Sequence, residues 1–193
     1  MSRARGDLAP TPGQTIGPFY GYALPYDGDS ALVPPTHRDA VRLHGRVLDG
    51  AGDPVPDALL ELWQADPAGR VPREPGSLHR DGFTFTGWGR CATDDTGHYA
   101  FSTLRPGPTT PGTAAYFAVT VFARGLLDRL FTRAYLPGDS AEDRAALGAD
   151  PLLASVDADR RSTLVAGADE HGFVFDIRLQ GEGETVFLTH PRH

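Results

Sequence analysis

The sequence predicts an all-β protein, an antiparallel sandwich preceded by an extended N-terminal arm. Three observations carry this expectation: eight short apolar runs separated by turn signals, almost no helical periodicity, and 23 glycines with 17 prolines among 193 residues. Short alternating runs bounded by Gly, Pro and Asp form strands, and a series of them at modest spacing builds two packed sheets. At roughly 150 residues per domain the length suits one domain. A hydrophobic share of 40% with 22% charged residues supports a packed core and excludes wholesale disorder.

Residues 1–39 form the predicted arm. Pro10, Pro12, Pro18, Pro25, Pro34 and Pro35 prevent either regular period, while Phe19, Tyr20, Tyr22 and Tyr26 carry more apolar surface than a free tail needs. The arm is expected to lie against a surface, either of its own domain or of a partner chain. The sandwich is expected over residues 40–193. Its runs are VRLHGRVLD, ALLELWQA, GWGRCAT, HYAFSTL, AAYFAVTVFA, LFTRAYL, FVFDIRL and ETVFL, with turns such as GAGDP and DPAG between them. The one helical candidate is SAEDRAAL from Ser140 to Leu147, with Ser140 as its N-cap and Asp143 at the third helical position.

Charge and composition exclude several kinds of function. Eighteen basic against 25 acidic side chains give a net charge of −7, without a long basic run, so nucleic acid and anionic membranes are repelled. Every basic side chain other than histidine is arginine, which rules out lysine Schiff bases and a phosphate-binding P-loop. The single Cys91 forms no internal disulfide and no CxxC pair exists, pointing to a reducing, cytoplasmic setting. The first twenty residues lack an apolar signal core and no long apolar run occurs after them, so a soluble, unprocessed protein is expected.

Obvious catalytic constellations are missing: there is no GxSxG, HExxH or HxH, and the seven histidines lie in separate segments. Three segments stand out. TDDTGHYAFSTLRPG reads as a turn feeding a strand with Tyr99 and Phe101 on one side. LLELWQAD places Glu61 among apolar residues and reads as a core strand, with Trp63 expected inside. LFTRAYLPGD puts Arg133 on the same face as Phe131 and Tyr135. A guanidinium so placed is either satisfied by an internal carboxylate or open to an anionic substrate.

These segments also carry a resemblance. QTIGPFY, VLDGAGDPVPDALLELWQADPAGR, GRCATDDTGHYAFSTLRPG, FARGLLDRLFTRAYLPGD and FDIRLQGEGETVFL, in this order from about Thr11 to Leu188, resemble the intradiol ring-cleaving dioxygenases. The resemblance implies an immunoglobulin-like sandwich. It also implies a ferric ion held by two tyrosines and two histidines, with dioxygen inserted between the hydroxylated carbons of a catechol.

The positions where a catalytic chain carries those ligands read Val71, Thr109, Tyr116 and Ala118 here. One phenol is not a metal site, so the resemblance implies no metal and no catalytic residue in this chain. Some family members are built from two homologous chains, of which only the beta chain binds Fe(III). The QGEGETVF ending and the FARG segment make this chain similar to the alpha chain. That similarity implies a heteromer of αβ units that cleaves protocatechuate to 3-carboxy-cis,cis-muconate in the β-ketoadipate route. Its arm would pack on the partner, and Thr15, Gly17, Pro18 and Arg133 would line the partner's substrate pocket, with Phe19 where a tyrosine is usual. Two alternatives stay open: a non-enzymatic ligand-binding sandwich and a self-sufficient catechol dioxygenase.

Overall fold

The computed structural model describes residue 17, residues 20–74 and residues 80–189. A one-turn helix α1 (Tyr20–Ala23) precedes the strands β1 (Ala40–Leu48), β2 (Leu59–Trp63), β3 (Trp88–Ala92), β4 (His98–Leu104), β5 (Tyr116–Phe122) and β6 (Leu130–Tyr135). Helices α2 (Ala141–Ala149) and α3 (Pro151–Ser155) and a short 3-10 turn come next, and then strands β7 (Gly167–Asp169), β8 (Gly172–Val174) and β9 (Ile177–Arg178). Among the described residues no helix is long and apolar enough to cross a membrane.

Two sheets face each other, as predicted. One runs β4-β1-β8-β7 with β9 also paired to β1, and the other runs β3-β2-β5-β6. Period-two alternation sends Leu43, Val47, Tyr99 and Phe101 inward from the first sheet and Leu60, Leu62, Phe117 and Val119 inward from the second. All eight are at most 1% exposed. Each such side chain contributes roughly 1.5–3 kcal/mol by leaving water.

The first sheet is not wholly antiparallel: β8 and β9 both run parallel to β1. The predicted run FVFDIRL is broken in two where the chain steps over Gly45. A Cβ there would sit 2.1 Å from the Phe175 carbonyl oxygen. Phe175 still donates its N–H to His44 O at 2.8 Å, and the Tyr99 hydroxyl donates to Phe175 O at 2.5 Å. Arg46 N–H donates to the Asp176 side chain at 2.8 Å. ETVFL forms no strand; within it Leu188 bridges to Phe131.

From Tyr20 onward the arm segment lies on its own sandwich. The Tyr20 hydroxyl donates to Asp57 O at 2.6 Å, Leu32 N–H donates to Ser102 O at 2.8 Å, and the Leu32 side chain enters the core over Gly89. The predicted helix start is observed: Ser140 and Asp143 close a reciprocal capping box on α2. Trp63 departs from expectation. It ends β2 on the outer face, in phase with Glu61 rather than with Leu60 and Leu62, and is 46% exposed.

Candidate functional site

Two turns converge beside the outer face of the β3-β2-β5-β6 sheet. In the turn after β2, Asp66 Oδ1 accepts the N–H groups of Ala68 and Arg70 at 2.9 Å, and Oδ2 accepts Arg70 Nε at 2.8 Å. These bonds, the Arg70 backbone N–H foremost, hold the Asp66 carboxyl below its usual range. Glycines let this turn close on the Pro106–Pro108 turn. Gly69 has φ +80°, and a Cβ on it would meet Pro108 O at 2.1 Å, while one on Gly107 would meet Pro67 O at 2.4 Å. Gly107 N–H donates to Asp66 O at 2.9 Å and locks the pair. As a result Val71 and Thr109 arrive at one place.

Strand register brings the other two positions there. Trp63 lies opposite Ala118, Ala118 opposite Arg133, and Tyr116 opposite Tyr135. Val71, Thr109, Tyr116 and Ala118 line a single cleft of about 130 Å³ together with Trp63 and Gln64. Gln64 is fixed beneath it: Nε2 donates to Leu104 O at 2.8 Å and Oε1 accepts from Thr103 Oγ1 at 2.5 Å. Larger grooves of about 410, 470 and 560 Å³ occur elsewhere, away from these four positions.

The four positions offer a valine, an alanine, a threonine hydroxyl and one phenol. Ferric iron is held by several anionic or imidazole donors, so this set does not fit it. Among the described residues no group of three or more His, Cys, Asp or Glu side chains could hold a metal ion.

Arg133, half-buried on β6, touches the cleft through its neighbours, paired opposite Ala118 and stacked on Tyr116. Its guanidinium stacks on the Tyr116 ring, with the carbon 4.0 Å from the ring centroid, and Nη1 donates to the Tyr135 hydroxyl at 3.1 Å. That hydroxyl donates onward to Asp150 Oδ1 at 3.0 Å. Burial pushes the Tyr135 hydroxyl up to about 12, with Arg133 pulling the other way, so Tyr135 keeps its proton at any working pH. Of the two readings offered by the sequence, no direct carboxylate partner for Arg133 is found among the described residues.

Of the arm residues named from the sequence, Gly17 is exposed, and a Cβ on it would have nothing within 4 Å. Thr15 and Pro18 lie outside the described residues, as does Phe19. Asp150, which no sequence motif linked to this site, joins it through Tyr135. The available signal was the Asp-Pro step, an N-cap followed by proline at the first helical position of α3. Three histidines from separate segments do converge on the other sheet: His44 lies 6.0 Å from His98 and 6.2 Å from His171, ring to ring, with Asp169 bonded to His44 at 3.2 Å.

Comparison with known proteins gives a consistent picture. The protein family described as Dioxygenase matches residues 16–181. The protocatechuate 3,4-dioxygenase alpha chain of Burkholderia cepacia is 40% identical to this chain, across 94% of this chain and 98% of its own length. The beta chain from the same organism is 33% identical over 73% of this chain and 64% of its own. Among solved structures, the dioxygenase domain of a dioxygenase carbohydrate-binding protein fusion from Streptomyces sp. SirexAA-E superposes with a TM-score of 0.53. It is 24% identical, over 90% of this chain and 99% of that one, a likeness of fold.

Proposed function

Since this chain belongs to the intradiol dioxygenase family, we propose that it is the alpha subunit of a protocatechuate 3,4-dioxygenase, paired with a beta chain that holds Fe(III). The observation that carries this reading is the 130 Å³ cleft, where the four positions expected to hold metal ligands bear Val71, Thr109, Tyr116 and Ala118. A chain with the family fold and no metal donor set contributes shape and charge to a neighbour's pocket rather than the metal chemistry itself.

In this reading Arg133 supplies positive charge toward the carboxylate of protocatechuate. Its guanidinium is stacked and directed by its neighbours, so little rotamer freedom is lost when an anion arrives. Thr15, Gly17 and Pro18 in the arm are assigned to the wall of the partner's pocket. Residues 1–39 then serve as the arm, which reaches the partner through the part before Tyr20 while the rest lies on the sandwich of residues 40–193. The αβ units assemble further in the cytoplasm, and the product is 3-carboxy-cis,cis-muconate.

The test separates the two chains. Purified alone, this chain should cleave no protocatechuate; co-expressed with its beta partner, it should elute with the ring-cleaving activity in one species. Ring cleavage by the chain alone would overturn the reading and favour a self-sufficient enzyme.

A further inference from the structure

Arg133 is constrained in two ways at once. The Tyr116 ring fixes the plane of its guanidinium at 4.0 Å, and the Tyr135 hydroxyl fixes the direction of one edge at 3.1 Å. A tyrosine hydroxyl has one proton. Because it accepts from Arg133 Nη1, that proton is free to go to Asp150 Oδ1, 3.0 Å away, and all donors in the chain point the same way.

Asp150 is itself held in place by burial and hydrogen bonds. It is 3% exposed, and its Oδ1 also accepts the N–H groups of Leu152 and Leu153 at 3.0 and 3.1 Å, capping α3 ahead of Pro151. Tyr135 is fully buried among Ala114, Leu153 and Leu164. The helical excursion between β6 and β7 thus brings a fixed acceptor beneath the hydroxyl that directs Arg133.

The intermediate tyrosine has a specific consequence. An acid bonded directly to Arg133 would orient the guanidinium and also neutralise it. With a neutral hydroxyl between them, orientation is transmitted while the cation keeps its charge for another partner. We propose that Tyr135 and Asp150 are positioning residues for substrate selection, holding the Arg133 guanidinium in the orientation that receives the substrate carboxylate without quenching its charge. This rests on the reading of Arg133 as a substrate-facing residue.

The test uses the assembled alpha–beta enzyme with protocatechuate and with catechol, which lacks the carboxylate. Tyr135→Phe keeps the ring in its cluster and removes the hydroxyl. It should raise the KM for protocatechuate about 3- to 10-fold, the loss of one hydrogen bond's worth of orientation, with kcat, iron content and the KM for catechol unchanged. Asp150→Ser retains a capping oxygen for α3 but withdraws the acceptor from Tyr135, and should shift the same parameter in the same direction. If Tyr135→Phe does not assemble, Asp150→Ser carries the comparison. An unchanged protocatechuate KM in both variants, or an equal rise for both substrates, overturns the positioning role while Arg133→Ala still shows a selective loss. If Arg133→Ala itself shows no selective loss, the substrate-facing reading of Arg133 fails, and the inference with it.

Discussion

Arg133→Ala in the assembled enzyme raises the KM for protocatechuate by on the order of 10- to 100-fold, while iron content stays the same. A hydrogen bond from a charged donor to a carboxylate is worth about 1.5–3 kcal/mol, and each 1.4 kcal/mol is about tenfold. Catechol, without the carboxylate, loses far less. The comparison of the two substrates is decisive because the substitution also empties the face of the Tyr116 ring and frees the Tyr135 hydroxyl. Equal losses for both substrates would mean that Arg133 acts as packing for Tyr116 and Tyr135 alone.

Glu61→Ala destabilises the chain by about 3–5 kcal/mol, seen as a lowered unfolding midpoint of the assembled protein. Glu61 and Arg90 face each other across β2 and β3 with Oε1 2.7 Å from Nη2, their side chains only 20% and 12% exposed. Without the carboxylate, the guanidinium keeps the Leu24 carbonyl at 2.9 Å and the face of Trp88 at 5.1 Å, and loses its directly bonded counter-charge, leaving only the more distant Asp29 carboxylate. Its Nε already lacks a hydrogen-bond partner. The same arginine residue ties the arm segment down through Leu24 O and Asp29 O. Proteolytic cleavage near residues 24–30 should therefore accelerate in the variant. Replacing both partners with apolar residues should recover much of the loss, because no buried charge is then left uncompensated. A change within about 1 kcal/mol in the single variant, the range of a solvent-exposed pair, would show that water reaches these two side chains.

Much of the fold could be read from local pattern. HYAFSTL alternates so strictly that every second residue is buried, and Ser140 with Asp143 spells a helix start that needs no tertiary help. What could not be read depends on contacts distant in sequence. The parallel pairing of β8 and β9 with β1 joins residues 130 positions apart, as in Leu43 with Phe173, and the missing Cβ of Gly45 leaves room for the chain between them to pass. β7 is three exposed residues with no apolar alternation to announce it. Trp63 was legible in principle. Leu60 and Leu62 share one face, so Glu61 and Trp63 must share the other, and the apolar character of Trp63 masked that phase.

The site divides in the same way. Arg133 and Tyr135 sit two apart on one strand, so their common face comes from period two. Asp150 is brought to them by an excursion of two helices, for which the local sequence signals a cap but no destination. The convergence of Val71 and Thr109 depends on Gly69 and Gly107, whose missing side chains let two turns touch. Residue spacing alone does not reveal such a contact.

Iron analysis of the chain alone and of the chain co-expressed with its beta partner tests the central claim most directly. The expected result is about one iron per alpha–beta pair, with the visible absorption of a ferric tyrosinate, and none retained by this chain once separated, because Val71, Thr109 and Ala118 provide no anionic or imidazole donor. Stoichiometric iron and that absorption in the chain alone would contradict it.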